Sequence, residues 1–143
     1  MAHWSGETVL IHVLVMTHGM MAEGVCDSAQ MILGRQEELS YLSFKPDWSL
    51  DTLTSQLRER LSGFGENAKV LVLADLFGGT PSNALATLMG EGSDIAAVAG
   101  VNLPMLIEVL MSREDYEDPA VLAEDACNTG VQGIVDIGEL LAE

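Results

Sequence analysis

Val70-Leu71-Val72-Leu73-Ala74-Asp75-Leu76-Phe77-Gly78-Gly79-Thr80-Pro81-Ser82 is the stretch whose reading decides the fold of this chain. Five consecutive apolar residues suit a strand buried on both faces, as strands of a parallel sheet are. The run stops at an aspartate and passes through a glycine-rich turn. It then meets Thr80 and Pro81, a good helix cap followed by a good first helical residue. Strand, turn and helix in that order form one step of an alternating α/β pattern.

The same pattern extends in both directions. Upstream, Val9 to Met16 is almost continuously apolar and reads as the first strand. Ala22, Val25, Ala29, Ile32 and Leu33 then recur at helical spacing up to Gly34. Leu39 to Phe44 is the second strand, stopped by Lys45-Pro46. Leu50, Leu53, Leu57 and Leu61 line one side of a second helix that Gly63 and Gly65 break. Downstream, Ile95 to Val101 is a fourth strand and Pro104 opens a helix through Met111. After an acidic loop from Glu114 to Asp118, Asp118-Pro119 caps and starts another helix that Gly130 is expected to close. Ile134 to Ile137 sits close behind that helix and reads either as an edge strand or as a strand that pairs on a neighbouring subunit. The expected fold is an open, mainly parallel, doubly wound sheet in the order 2-1-3-4, with helices on both faces.

At 143 residues and 15.3 kDa, the chain is expected to form one domain over residues 8–143, because that size buries roughly two-thirds of the unfolded surface. Residues 1–7 show no periodicity and read as a flexible lead. No apolar run approaches the ~18 residues of a membrane span, and Val9 to Met16 lacks the flanks of a signal peptide, so a cytoplasmic address is expected. With 22 acids against 6 bases the formal charge is -16, which repels nucleic-acid phosphates and anionic membranes but steers a basic protein face towards the chain. Cys26 and Cys127 stand in no CxxC arrangement and read as buried, reduced thiols.

In an open parallel sheet, ligands gather beyond the carboxyl ends of the strands. Three turns lie there: Thr17-His18-Gly19, Asp75 to Pro81, and Gly100 to Pro104. In the order 2-1-3-4 the first and third strands are neighbours ~4.8 Å apart, so His18 and Asp75 can touch. A carboxylate on Nδ1 fixes the tautomer and leaves Nε2 as a lone-pair nucleophile. His12, inside the apolar strand, reads as a hydrogen-bonded core histidine, and His3 carries no argument. Gly78, Gly79, Thr80 and Ser82 offer amides and hydroxyls at a helix amino end, where the dipole favours an anion. None of the three turns holds a lysine or arginine, so a partner's basic residue could supply the missing charge. No acidic pair of the kind a phosphoryl-aspartate receiver needs follows the first strand, and no nucleotide-binding glycine loop does either.

Three stretches, THGMMAEGVCDSAQMILG (17–34), LADLFGGTPSNAL (73–85) and VAGVNLPMLIEVLM (98–111), resemble the enzyme IIA component of the mannose family of the bacterial phosphoenolpyruvate-dependent sugar phosphotransferase system. The resemblance runs from about Val9 to Glu143 and departs at Met16, where a small residue is frequent. It implies that His18 is the phosphorylated residue, that Asp75 pairs with it, and that Thr80 with Gly78 and Gly79 contacts the phosphate. It implies the phosphohistidine carrier protein HPr as donor and a IIB component as acceptor. No metal or cofactor is expected. With no IIB domain in these residues, the expected acceptor is a separate chain, and IIC and IID membrane components would be reached through it. Relatives are dimers in which a C-terminal strand crosses between subunits, and a homodimer is expected here. The alternative is a regulatory phosphocarrier that signals sugar or nitrogen status to a non-transport partner; GVNLPML looks like the transport-type branch.

Overall fold

A computed structural model describes residues 9–142; the expected flexible lead, 1–7, lies outside the described residues. Four strands, β1 (His12–His18), β2 (Leu39–Phe44), β3 (Val70–Ala74) and β4 (Ala96–Ala99), pair in parallel in the order β2-β1-β3-β4. Between and after them run α1 (Met21–Leu33), α2 (Leu50–Gly63), α3 (Thr80–Gly90), α4 (Leu103–Ser112), α5 (Pro119–Gln132) and the short α6 (Ile137–Leu141).

Side-chain alternation along the two central strands builds two cores. Val13, Val15, Leu71 and Leu73 point to one face, where α1, α4 and α5 bring Ala22, Cys26, Ala29, Leu106, Val109, Leu122 and Ala126. Leu14, Met16, Val72 and Ala74 point to the other, against Leu53 and Leu57 of α2 and Ala84, Leu85 and Leu88 of α3. Burying each leucine, valine or methionine side chain among them is worth about 1.5–3 kcal/mol. A one-residue slip of either central strand would exchange the two sets, so the cores fix the register. That register pairs His18 with Phe44 and Met16 with Ala74, which brings the ends of β1, β2 and β3 to one rim.

Several element boundaries differ from the sequence reading for local reasons. The first strand begins at His12, whose N–H donates to the Lys69 carbonyl, and continues to His18. The fourth stops at Ala99, because the next two amides, Gly100 and Val101, both turn back to the Ala74 carbonyl. Gly79, not Thr80, occupies the cap of α3, with no side-chain hydrogen bond; Thr80 is already helical. Gly130 does not close α5 but is buried inside it, and the helix runs on to Gln132. The expected C-terminal edge strand is not formed: residues 134–136 are irregular, and the Asp136 carboxylate accepts the Glu139 N–H, drawing the chain into α6 instead. A strand also needs a neighbour, and none pairs with this segment among the described residues.

His12 is the hydrogen-bonded core histidine the sequence suggests. Its Nδ1 lies 3.0 Å from Glu38 Oε2 and its Nε2 2.8 Å from Ser40 Oγ, while its ring stacks on Phe64. Burial holds its pKa below the ordinary value, so the ring stays neutral near pH 7. Arg113, absent from the sequence reading, is buried and donates to the carbonyls of Ile11, Glu37 and Glu38, tying the end of α4 to the starts of β1 and β2. Cys26 is buried and its thiol is pushed up to about 11, whereas Cys127 is exposed, contrary to expectation; both are free.

Candidate functional site

The rim at the carboxyl ends of the strands brings His18 and Asp75 together. His18 Nδ1 lies 2.7 Å from Asp75 Oδ2, and the His18 backbone N–H donates to the same oxygen at 2.9 Å. The other carboxylate oxygen accepts the Leu76 N–H at 2.9 Å. Burial raises the carboxyl pKa, but the hydrogen bonds from the His18 backbone and ring and from the Leu76 amide outweigh it and hold Asp75 below its ordinary value. An ionised carboxylate only accepts, so His18 Nδ1 carries the proton and Nε2 presents its lone pair. The Asp75 side chain is 8% exposed and that of His18 47%, so the orienting group is shielded while the ring is open to an incoming molecule.

Three neighbours fix the imidazole further. Phe44, at the end of β2, meets it edge to face with ring centroids 5.4 Å apart. Thr17 is fully buried; its Oγ1 donates to the His18 carbonyl and accepts the Ala22 N–H in the first turn of α1, so strand end and helix start share one hydroxyl. Gly79 backs onto the ring: a Cβ at this position would sit 3.2 Å from His18 Cε1. The sequence reading gave no role to Thr17, Phe44 or the Leu76 amide. For Phe44 the signal was its place at the end of the strand beside β1.

The turn of Gly78, Gly79, Thr80 and Ser82 lies beside the imidazole, but not all its polar groups are free. Gly78 N–H donates to Ser82 Oγ at 2.8 Å, and that hydroxyl donates to the Gly79 carbonyl at 3.1 Å. Two of the groups expected to meet an anion thus brace each other. The amides of Thr80 and Ser82, in the first turn of α3, have no intrahelical acceptor and keep the helix dipole behind them.

A histidine aimed by a carboxylate, next to a helix amino end and open to solvent, can be compared with known proteins. The family described as PTS system fructose IIA component (EIIA-man) matches residues 12–126. The chain belongs to this family. It is therefore a mannose-family EIIA component of a sugar phosphotransferase system.

This EIIA chain is 35% identical over 124 residues to the mannose-specific EIIAB component of Escherichia coli (strain K12), covering 87% of the chain but 38% of that longer protein. It is 37% identical over 105 residues to the fructose-specific EIIA component of Bacillus subtilis (strain 168), covering 73% of the chain and 72% of the relative. Among solved structures, the phosphotransferase system component EIIA from Streptococcus agalactiae superimposes with a TM-score of 0.83 at 30% identity, over 90% of this chain and 98% of that one. Among the described residues of this EIIA chain, no helix is long and apolar enough to cross a membrane. No cluster of three or more His, Cys, Asp or Glu among them could hold a metal ion.

Proposed function

We propose that this EIIA chain carries a phosphoryl group on His18 Nε2, taking it from HPr and passing it to a IIB component that serves sugar uptake. The observation that carries the reading is the 2.7 Å contact between His18 Nδ1 and Asp75 Oδ2, with the ring still half-exposed. As the bond from phosphorus to the donor breaks, the Nε2 lone pair forms the new one. The Nδ1 proton stays in place, hydrogen-bonded to Asp75. The ring gains positive charge, which the Asp75 carboxylate stabilises, and the reverse step onto the acceptor discharges it. Such a transfer asks the protein for position and electrostatics more than for covalent help. Gly79 and the free amides of Thr80 and Ser82 hold the phosphoryl oxygens, and Gly78 and the Ser82 hydroxyl shape the turn that presents them.

In this reading the protein acts in the cytoplasm as a homodimer and meets IIC and IID only through IIB. Exposed Ile134, Val135, Ile137, Leu140 and Leu141 support the dimer, since a monomer would leave all five in water. Incubation with phosphoenolpyruvate, enzyme I and HPr, followed by intact-mass analysis, tests the function. Wild type gains one acid-labile phosphoryl group and His18→Ala none; phosphate retained on His18→Ala would refute the assignment.

A further inference from the structure

A second concave feature adjoins His18. A groove of about 690 Å³ runs from Gly19 and Met20, directly after the histidine, along β2 to Lys45, Trp48 and Arg60. Phe44 lines the groove and also touches the imidazole, so groove and site share a wall. The volume and the mainly apolar lining with a few polar groups are those of a binding pocket.

The groove is also where the chain's scarce positive charge collects. Of six bases, Arg113 is buried among carbonyls and Arg58 is paired with Glu91 at 2.7 Å. Two of the remaining four, Lys45 and Arg60, line this one groove. Both are pre-placed. Lys45 Nζ stands 5.5 Å from the centre of the Trp48 ring, and Arg60 Nη1 donates to the Tyr41 carbonyl on the outer edge of β2, leaving further N–H donors unused. Glu23 is the one acidic residue lining the groove. Exposed Met20, 75% accessible, rims the groove, and Phe77, 88% accessible, stands in the turn that follows Asp75; both are typical of a face that a protein covers.

We propose that this groove is the docking pocket for a carboxylate-bearing segment of the protein that delivers the phosphoryl group. The inference rests on His18 being the acceptor. The donor must approach a chain of formal charge -16 while itself carrying phosphate, so a cationic foothold next to the acceptor atom matters most for this partner. Long-range attraction to a chain of this charge favours a donor face that is basic overall. One acidic side chain opposite Lys45 and Arg60 fixes its register, because like charges there would be repelled. An open, half-exposed groove suits a protein segment better than a small anion, which would need closer enclosure.

The test is Lys45→Glu, with Arg60→Gln as a second variant, in steady-state transfer from phosphorylated HPr. A parallel arm uses phosphoramidate, a small donor that needs no docking. The expected result is a KM for HPr raised about tenfold, kcat within about twofold, and an unchanged phosphoramidate rate. Generic steering predicts the opposite sign, since added negative charge would speed a basic donor. A KM that is unchanged or lower in both variants therefore overturns the proposal. So does an equal loss with phosphoramidate, which would place the two cations at the phosphate itself. Failure of phosphorylated HPr to modify wild-type His18 would instead sink the phosphocarrier reading, and the docking proposal with it.

Discussion

Asp75 uses both carboxylate oxygens on three hydrogen bonds, two of them to His18, and so does more than balance a charge: it fixes the ring's tautomer and its orientation. In Asp75→Asn the amide can still accept through its oxygen but lacks the negative charge that stabilises the phosphorylated ring. Transfer from HPr should slow roughly a hundredfold with the fold retained, as stopped-flow and circular dichroism would show; an unchanged rate would remove Asp75 from the mechanism. Because the folded state lowers the Asp75 pKa, its ionised form adds stability above the ordinary carboxylate range, and that stability is lost as pH falls through the lowered value. The pairing of His18 with Asp75 was legible in the sequence, since two strand ends and one strand order determine it. The Gly78–Ser82 brace was not, because a hydroxyl near a helix start can point to a ligand or back to its own turn, and only side-chain torsion decides.

At the scale of elements, α4 and α5 show what glycine positions and buried acids control. Gly130 reads as a helix terminator in sequence, yet both it and Gly133, the C-cap of α5, allow close approach. A Cβ on Gly133 would lie 2.5 Å from Pro104 Cβ, in a rigid ring that cannot move aside. Gly133→Ala should therefore cost about 1–3 kcal/mol, measurable by urea unfolding. Asp125 of α5 faces Glu108 of α4, with Asp115 and Tyr116 nearby, and one of its carboxylate oxygens is buried without a partner. The Glu108 carboxylate facing it, together with burial, raises its pKa, so the folded state holds this proton more tightly than the unfolded chain. The associated stability is present below the ordinary carboxylate pKa and is lost as pH rises through the raised value. Asp125→Asn should raise Tm by a few degrees at pH 7.5 and leave it nearly unchanged at pH 4. An equal shift at both pH values would exclude the shared proton. The four strands, α1 and α2 could be named from apolar patterning, and α3, α4 and α5 from their capping residues and prolines, whereas element ends were set by hydrogen bonds such as those of Gly100 and Val101 to Ala74, which no such pattern encodes.

The whole molecule combines a doubly wound sheet, a strongly acidic composition and a C-terminal segment whose apolar side chains are exposed among the described residues. The sequence reading saw that Ile134 to Ile137 was apolar and without a place; it could not see that Asp136 would cap a helix rather than continue a strand. Light scattering should show a mass twice 15.3 kDa, and Ile137→Lys with Leu140→Lys should halve it while sparing the sheet's circular dichroism. A wild-type monomer at tens of micromolar would contradict the dimer. Phosphoryl transfer at this rim depends on which ring nitrogen is left open when a carboxylate from the neighbouring strand holds the other. Nitrogen-15 and phosphorus-31 NMR of the phosphorylated protein, labelled at histidine, reads that directly. Phosphorus coupled to Nε2 of His18 is the predicted result; coupling to Nδ1, or a signal from any other residue, would contradict it.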